Sequence, residues 1–209
     1  MEVAVKNLLL PLLLVACDDP DPAVGATDST PAAAPMPFEA VDLAGGWVSG
    51  CVDPGTGQAL SLDFELTTET WSLEYRTYGD ASCDTPFLTV HIEGPYELGE
   101  RSVEVEDARE AEFLFAAKSV TPHSQDAADF LASTYGCDRP GFAVGEAADL
   151  AAGCPALGQY PVSGCDRDYD LVLLDGDVLH FGERPPDNDM CTSDKRPTQA
   201  SSLGLIRPE

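Results

Sequence analysis

Hydrophobic and polar residues alternate with a period of two through much of the chain beyond Gly45-Gly46-Trp47. Leu60, Leu62, Phe64 and Leu66 take turns with Ser61, Asp63 and Glu65, and Trp71, Leu73 and Tyr75 with Ser72, Glu74 and Arg76. Successive side chains of a strand point to opposite faces, so each run predicts a strand with one apolar face. Thr67 to Thr70 is short enough to join the two as a hairpin, with a turn predicted before them at Asp53-Pro54-Gly55-Thr56-Gly57 and another after them at Gly79-Asp80. Further strands are predicted at 87–96, where Leu88, Val90 and Ile92 share a face, at 102–106, and at 111–117, where Phe113 and Phe115 do. Thr121-Pro122 reads as a helix N-cap followed by proline in the first turn, and Ala127, Phe130, Leu131 and Thr134 keep helical spacing up to Gly136. Strand patterns resume at 169–174 and 178–181, joined through Asp175-Gly176-Asp177, and again near 203–206. The sum is an antiparallel sheet with one helix.

Ahead of this domain, Leu8 to Val15 form a short apolar run that follows Lys6 and ends at Cys17-Asp18-Asp19. A membrane-spanning helix needs roughly 20 apolar residues, so the run has signal-peptide length instead. Leu14-Val15-Ala16-Cys17 resembles the lipobox of bacterial lipoproteins. That resemblance implies cleavage before Cys17, a diacylglyceryl group on its sulfur and an acyl group on the new amino terminus, and several chains together anchor stably where one is marginal. The alternative is an ordinary secretory peptide with Cys17 close to its cleavage site. From Asp18 to about Phe38 the chain holds Pro, Ala, Asp, Thr and Ser with almost nothing large and apolar, a composition that cannot offset the entropy of ordering. The expected organisation is a signal peptide over 1–16, a lipid-anchored disordered linker over 17–40 and a folded domain over 41–209. The expected location is the bacterial cell envelope, with the choice of inner or outer membrane open.

Charge and cysteine count narrow the picture. The chain carries a formal net charge of -26, which repels nucleic acid and anionic membrane faces. Beyond Cys17, the six cysteines Cys51, Cys83, Cys137, Cys154, Cys165 and Cys191 are an even set in a chain with an export signal, which predicts disulfides. Sequential pairing is expected because each bond then closes a local segment. A zinc site is the alternative, but the chain has no CxxC pair and its three histidines are scattered.

The order of residues carries a resemblance. Gly46-Trp47-Val48-Ser49 leads to Cys51 and Pro54-Gly55, and Tyr78, Asp80, Cys83 and Pro86 follow. Gly94 and Tyr96 come next, then Thr121-Pro122-His123, Cys137, Gly153-Cys154, Leu157-Gly158, Tyr169-Asp170-Leu171, Leu179, Phe181-Gly182 and Arg196-Pro197-Thr198. From about Gly45 to Ile206 this resembles the extracellular domain of the adenomatosis polyposis coli down-regulated family, whose vertebrate members are membrane-bound antagonists of Wnt signalling. The resemblance implies a mainly β, disulfide-stapled domain, its curved antiparallel sheet forming a barrel or half-barrel with one helix. It also implies an apolar pocket, used in the vertebrate proteins to engage lipid, including acylated Wnt. Those chains carry two such domains and a transmembrane helix, whereas this one has a single copy, and Cys165 and Cys191 have no counterparts in the pattern. Wnt is not an inferred partner of a chain with a bacterial export signal.

A curved sheet with one apolar face either fills its interior with side chains or leaves a ligand cavity. At ~0.8 kcal/mol per buried methylene, a fatty chain of about 14 carbons gains on the order of 10 kcal/mol before ordering costs, enough without a charged anchor. The candidate ligand-binding face is Leu62, Phe64, Leu66, Trp71, Leu73, Tyr75, Val90, Ile92, Phe113 and Phe115. Trp47 is expected to pack the end of the sheet, and His91, His123 and His180 to be structural. The clusters Asp166-Arg167-Asp168-Tyr169-Asp170, Asp175-Gly176-Asp177 and Asp187-Asn188-Asp189 offer oxygens of the kind calcium uses, but none fits an EF-hand loop, and they read as solvated acidic turns. No GxSxG, HExxH or glycine-rich phosphate loop is present. The expected function is non-enzymatic binding of a lipid or other apolar molecule, with no cofactor, metal or nucleic acid and no assigned protein partner. A filled barrel acting as a protein-interaction module is the first alternative. A hydrolase of unrecognised type, which would need His123 beside a serine and a carboxylate, is the second.

Overall fold

The computed structural model describes residues 35–53 and 58–208. The apolar run, Cys17, the tether up to residue 34 and the turn residues Pro54-Gly55-Thr56-Gly57 lie outside the described residues. Among the described residues no helix is long and apolar enough to cross a membrane.

The described chain forms β1 (Gly45–Val48), β2 (Leu60–Leu66), β3 (Thr70–Tyr78), β4 (Pro86–Arg101), β5 (Ala108–Leu114), β6 (Ala117–Pro122), β7 (Ala148–Asp149), β8 (Arg167–Asp175), β9 (Val178–Gly182) and β10 (Ala200–Ile206). A single-turn helix, α1 (Ala40–Leu43), precedes β1, and α2 (Gln125–Ala132) follows β6. Eight strands close an antiparallel barrel in the order β1-β2-β3-β4-β5-β8-β9-β10, with β10 returning to β1, while β6 and β7 extend the sheet from β4. The predicted barrel-like, mainly β architecture is therefore present.

The period-two runs became strands because their apolar residues share the inner face. Leu62 pairs with Tyr75 and Phe64 with Leu73 across β2 and β3, and Leu73 and Tyr75 then face Ile92 and Val90 of β4. Thr67 fixes the hairpin, its Oγ1 accepting the N–H groups of Glu69 and Thr70. In the hairpin of β8 and β9, Gly176 takes φ +60°, a left-handed conformation that glycine adopts without steric cost.

Three local expectations are corrected. Residues 102–106 are not a strand but the connection from β4 to β5, where Ser102 Oγ accepts the N–H groups of Glu104 and Val105 and so competes with a sheet ladder. The strand expected over 111–117 is broken at Phe115-Ala116, between β5 and β6. Thr121-Pro122 does not cap a helix. Thr121 pairs with Thr89 and Pro122 with Leu88 at the end of β6, where a missing N–H is tolerated, and the N-cap is Ser124, whose Oγ accepts the N–H of Ala127.

β4 changes partner halfway. Leu88 to Glu93 pair with Pro122 to Ala117 of β6, whereas Tyr96 to Arg101 pair with Phe113 to Arg109 of β5. Gly94 lies at the changeover, where a Cβ would overlap the Leu114 carbonyl.

One end of the barrel is solid. Trp47, Leu66, Leu179 and Leu205 are fully buried there with Leu43 of α1, and Phe38, within the segment expected as a linker over 17–40, is buried beside them. Trp47 Nε1 donates to Leu43 O at 2.7 Å. Arg109, buried by the same end, donates from Nη1 to Phe38 O (2.9 Å), from Nε to Gly99 O (3.0 Å) and from Nη2 to Gly99 O (2.7 Å). The seam between β1 and β10 rests on the pair Val48 and Ile206, reinforced by Arg207, which donates to Ala44 O and Asp42 O at 2.9 Å each and stacks 4.2 Å above the Trp47 ring.

Three disulfides join Cys51 to Cys83, Cys137 to Cys154 and Cys165 to Cys191, the sequential pattern expected. They staple the loop after β1 to the loop before β4, the segment after α2 to the loop before β8, and the residues just ahead of β8 to the segment after β9.

Gly94→Ala is expected to lower the thermal midpoint by several degrees, as overpacking of roughly 1–3 kcal/mol implies. Gly79→Ala, whose added Cβ meets only Thr85 O at 4.0 Å, is the control and should change stability by less than about 0.5 kcal/mol. Equal midpoints for both variants would contradict the close approach at Gly94.

Candidate functional site

Beyond the solid end the interior is not filled. It holds a cavity of about 720 Å³, within the ~300–1,000 Å³ usual for small-molecule sites. Nine residues of the face derived from alternation line it: Leu62 and Phe64 from β2, Trp71, Leu73 and Tyr75 from β3, Val90 and Ile92 from β4, Phe113 from β5 and Phe115 just after it. Leu66 does not. Although its cross-strand partner Trp71 does, Leu66 itself is 2% exposed and packs into the core of the solid end with Trp47. Trp47 packs that end and stays off the cavity.

An aromatic floor separates the two halves of the barrel. Phe64 stacks on Phe181 with ring centroids 4.4 Å apart, Phe113 meets Phe181 at 5.6 Å, and Trp71 meets Phe113 edge-on at 5.2 Å. Such offset and T-shaped contacts are favourable for rings and fix the floor's shape. The Trp71 indole N–H is satisfied by Leu114 O at 3.1 Å. Phe181 and Leu203 of the wall were absent from the sequence-derived face, although each lies in a segment whose strand was predicted, and the alternation of Leu179 with Phe181 was the available signal. Phe87 and Phe130, 6.2 Å apart, add a contribution from α2 that a strand pattern could not supply.

The cavity also carries charge. Lys118, Asp168, Asp170 and Arg184 line it, and the first three are at least nine-tenths buried. Asp168 Oδ2 accepts from Arg184 Nη2 at 2.7 Å, while the Arg184 side chain reaches solvent. Asp170 Oδ1 accepts the N–H groups of Leu171 (2.7 Å) and Gly182 (2.9 Å) and so continues the β8–β9 ladder where backbone pairing stops. Burial pushes the Asp170 carboxyl up to about 6, against the pull of Arg184 and the two N–H groups. Burial also depresses the Lys118 ammonium to about 8, opposed by Asp168.

Asp168 and Asp170 correct the reading of 166–170 as a solvated turn: β8 begins at Arg167, and alternation puts both on the inner face with Val172. The other acidic clusters do sit in turns. Asp175 and Asp177 are exposed in the hairpin of β8 and β9, and Asp189 pairs with Lys195. Among the described residues no group of three His, Cys, Asp or Glu side chains could hold a metal ion. The exposed His123 bonds Thr89 Oγ1 at 2.8 Å, His91 faces Glu93 at 3.4 Å and His180 Nδ1 bonds Ser201 O at 3.0 Å. Among the described residues none of them meets a serine hydroxyl and a carboxylate together.

The Asp170 carboxyl gives a pH test. Its pKa is higher in the folded chain than its ordinary value of 3.8, so the native state holds the proton more tightly and its stability falls as pH rises from about 4 through about 6. Asp170→Asn keeps an acceptor for the two N–H groups and has no charge to bury. Its stability relative to wild type should be flat below about pH 4 and improve by about 2–3 kcal/mol by pH 7–8, read from urea unfolding at each pH. A pH-independent difference would contradict the assigned burial of charge.

No curated protein matches the chain. The family profile described as adenomatosis polyposis coli down-regulated 1 matches residues 32–148, more than half of the chain. The match takes in β1 to β6, α2 and three of the six disulfide-bonded cysteines, Cys51, Cys83 and Cys137. It stops short of the strands β8 to β10 that complete the barrel, and of Ile206, to which the sequence resemblance was traced. That family is not a known enzyme family. The chain belongs to the adenomatosis polyposis coli down-regulated 1 family.

Proposed function

We propose that this protein binds a lipid or another apolar small molecule without changing it covalently, as a carrier or sequestering protein held at a bacterial envelope membrane through Cys17. The observation that carries the reading is an inner wall left uncovered. Leu62, Phe64, Leu73 and Tyr75 face inward, yet all remain only partly buried because the space between them is empty of protein. Uncovered apolar wall is unfavourable in water, at roughly 25 cal/mol per Å². A hydrocarbon chain laid over the aromatic floor would relieve it, gaining ~0.8 kcal/mol per methylene. An interior of this volume does not fit a filled barrel acting as an interaction module.

The ligand test uses the full chain carrying Cys17→Ala, which removes a covalent lipid as a competing occupant, with its disulfides formed. Native mass spectrometry should show a stoichiometric adduct that solvent extraction identifies as an amphiphile. A bare protein mass, unchanged after addition of palmitate or phospholipid, would overturn the reading. The anchor is tested separately in the producing bacterium. Cys17→Ala should move the protein from the membrane fraction to the soluble envelope fraction, and persistent membrane association would reject anchoring through that cysteine.

A further inference from the structure

Lys118 breaks the pattern of the wall it belongs to. It sits on β6 opposite Ile92, and Val120, the next inward residue of that strand, is fully buried. Lysine is rarely buried unless paired, because removing an ammonium from water is costly. Here the residue is 4% exposed and lines the cavity, and among the described residues its ammonium has no hydrogen-bond or ion-pair partner. Its one specific contact is the Phe115 ring, 4.1 Å from Nζ to the centroid. The neighbouring charges are already engaged: Asp168 is taken up by Arg184, and Asp170 by two backbone N–H groups. Lys118 is thus left on the cavity wall with no direct partner among the described residues, Asp168 acting on it only at longer range.

We infer that the cavity selects single-chain amphiphiles with an acidic head, of the long-chain carboxylate class, and that Lys118 is the residue that holds the carboxylate. This rests on the apolar-ligand reading above and adds the head group to it. The carboxylate would supply the buried ammonium with the partner it lacks, and a charge-assisted hydrogen bond in a water-poor site is stronger than a neutral one. The chain would then run from Lys118 across Phe115 towards the aromatic floor. Selection is local. The protein's net charge of -26 repels anions at long range, but at physiological salt that field is screened beyond about 8 Å.

The test compares palmitate with 1-hexadecanol, a neutral chain of the same length, by titration of tryptophan fluorescence, since Trp71 lines the cavity. The protein is the full chain with Cys17→Ala, with and without Lys118→Met. The expected result is that palmitate binds at least about tenfold more tightly than hexadecanol, and that Lys118→Met abolishes this preference while hexadecanol binding is retained or improved. Hexadecanol binding also reports that the variant is folded. A preference for palmitate that survives Lys118→Met would remove Lys118 as the anchor. Equal binding of the two ligands by the Lys118 protein would reject acid-head selection and leave apolar binding standing, and that comparison needs no substitution at Lys118. Failure of both ligands to bind would instead overturn the apolar-ligand reading itself.

Discussion

On the side of β4 that faces β5 and β6, no neighbour pairs along the strand's whole length. An eight-stranded barrel has an interior just wide enough for side chains to fill. This one is filled only on one side of the aromatic floor, and the handover at Gly94 is the reason. Along Tyr96 to Arg101 the ring is continuous through β5 to β8, and Trp47, Tyr96, Leu179 and Leu205 pack tightly within it. Along Leu88 to Glu93 the neighbour is β6, which pairs onward with the short β7 and leaves β8 behind. The wall is not continued by β8 there, and α2 and the loop before β8, held by Cys137–Cys154, supply further lining residues.

The same break sets the chemistry of the wall. Alternation along 111–115 points Ala111, Phe113 and Phe115 inward, and continuing it would turn Ala117 in and Lys118 out. The irregular pair Phe115-Ala116 shifts the phase, so that Lys118, Val120 and Pro122 are the buried residues of β6. Bulges commonly re-aim a side chain in this way. A one-residue change of phase is thus the difference between a surface lysine and a lysine in the cavity.

This explains what could be read from the sequence and what could not. The β2–β3 hairpin and the inner face of β4 were legible because each is a regular strand with one apolar face, and nine of the ten residues chosen on that basis line the cavity. Leu66 has the same periodicity but packs into the filled end, and where filling stops depends on the whole ring. The charged part of the wall was hidden twice. Lys118 lies beyond the phase shift, and Asp168 and Asp170 belong to a strand with apolar residues on both faces, since Leu171 on its other side is fully buried and Tyr169, bonded through its N–H to Met190 O, is partly so. In such a strand, polarity does not reveal direction. The sequential disulfides could be anticipated from local spacing, whereas the seam made by Arg207 joins residues at opposite ends of the domain, where no local pattern reaches.

That seam bears on when the site comes into being. β1 and β10 are the first and last of the described strands, and Ser201 and Leu203 of β10 are part of the cavity wall. A chain made from its N-terminus has its hairpins and its first disulfide partners available early, but no enclosed interior until residue 207 has emerged and Arg207 can reach Ala44 and Trp47. Until then the apolar wall is one face of an open sheet, without the shape that distinguishes one guest from another. The shape by which the proposed site would tell one guest from another is therefore a property of the closed ring, set by contacts between its first and last strands.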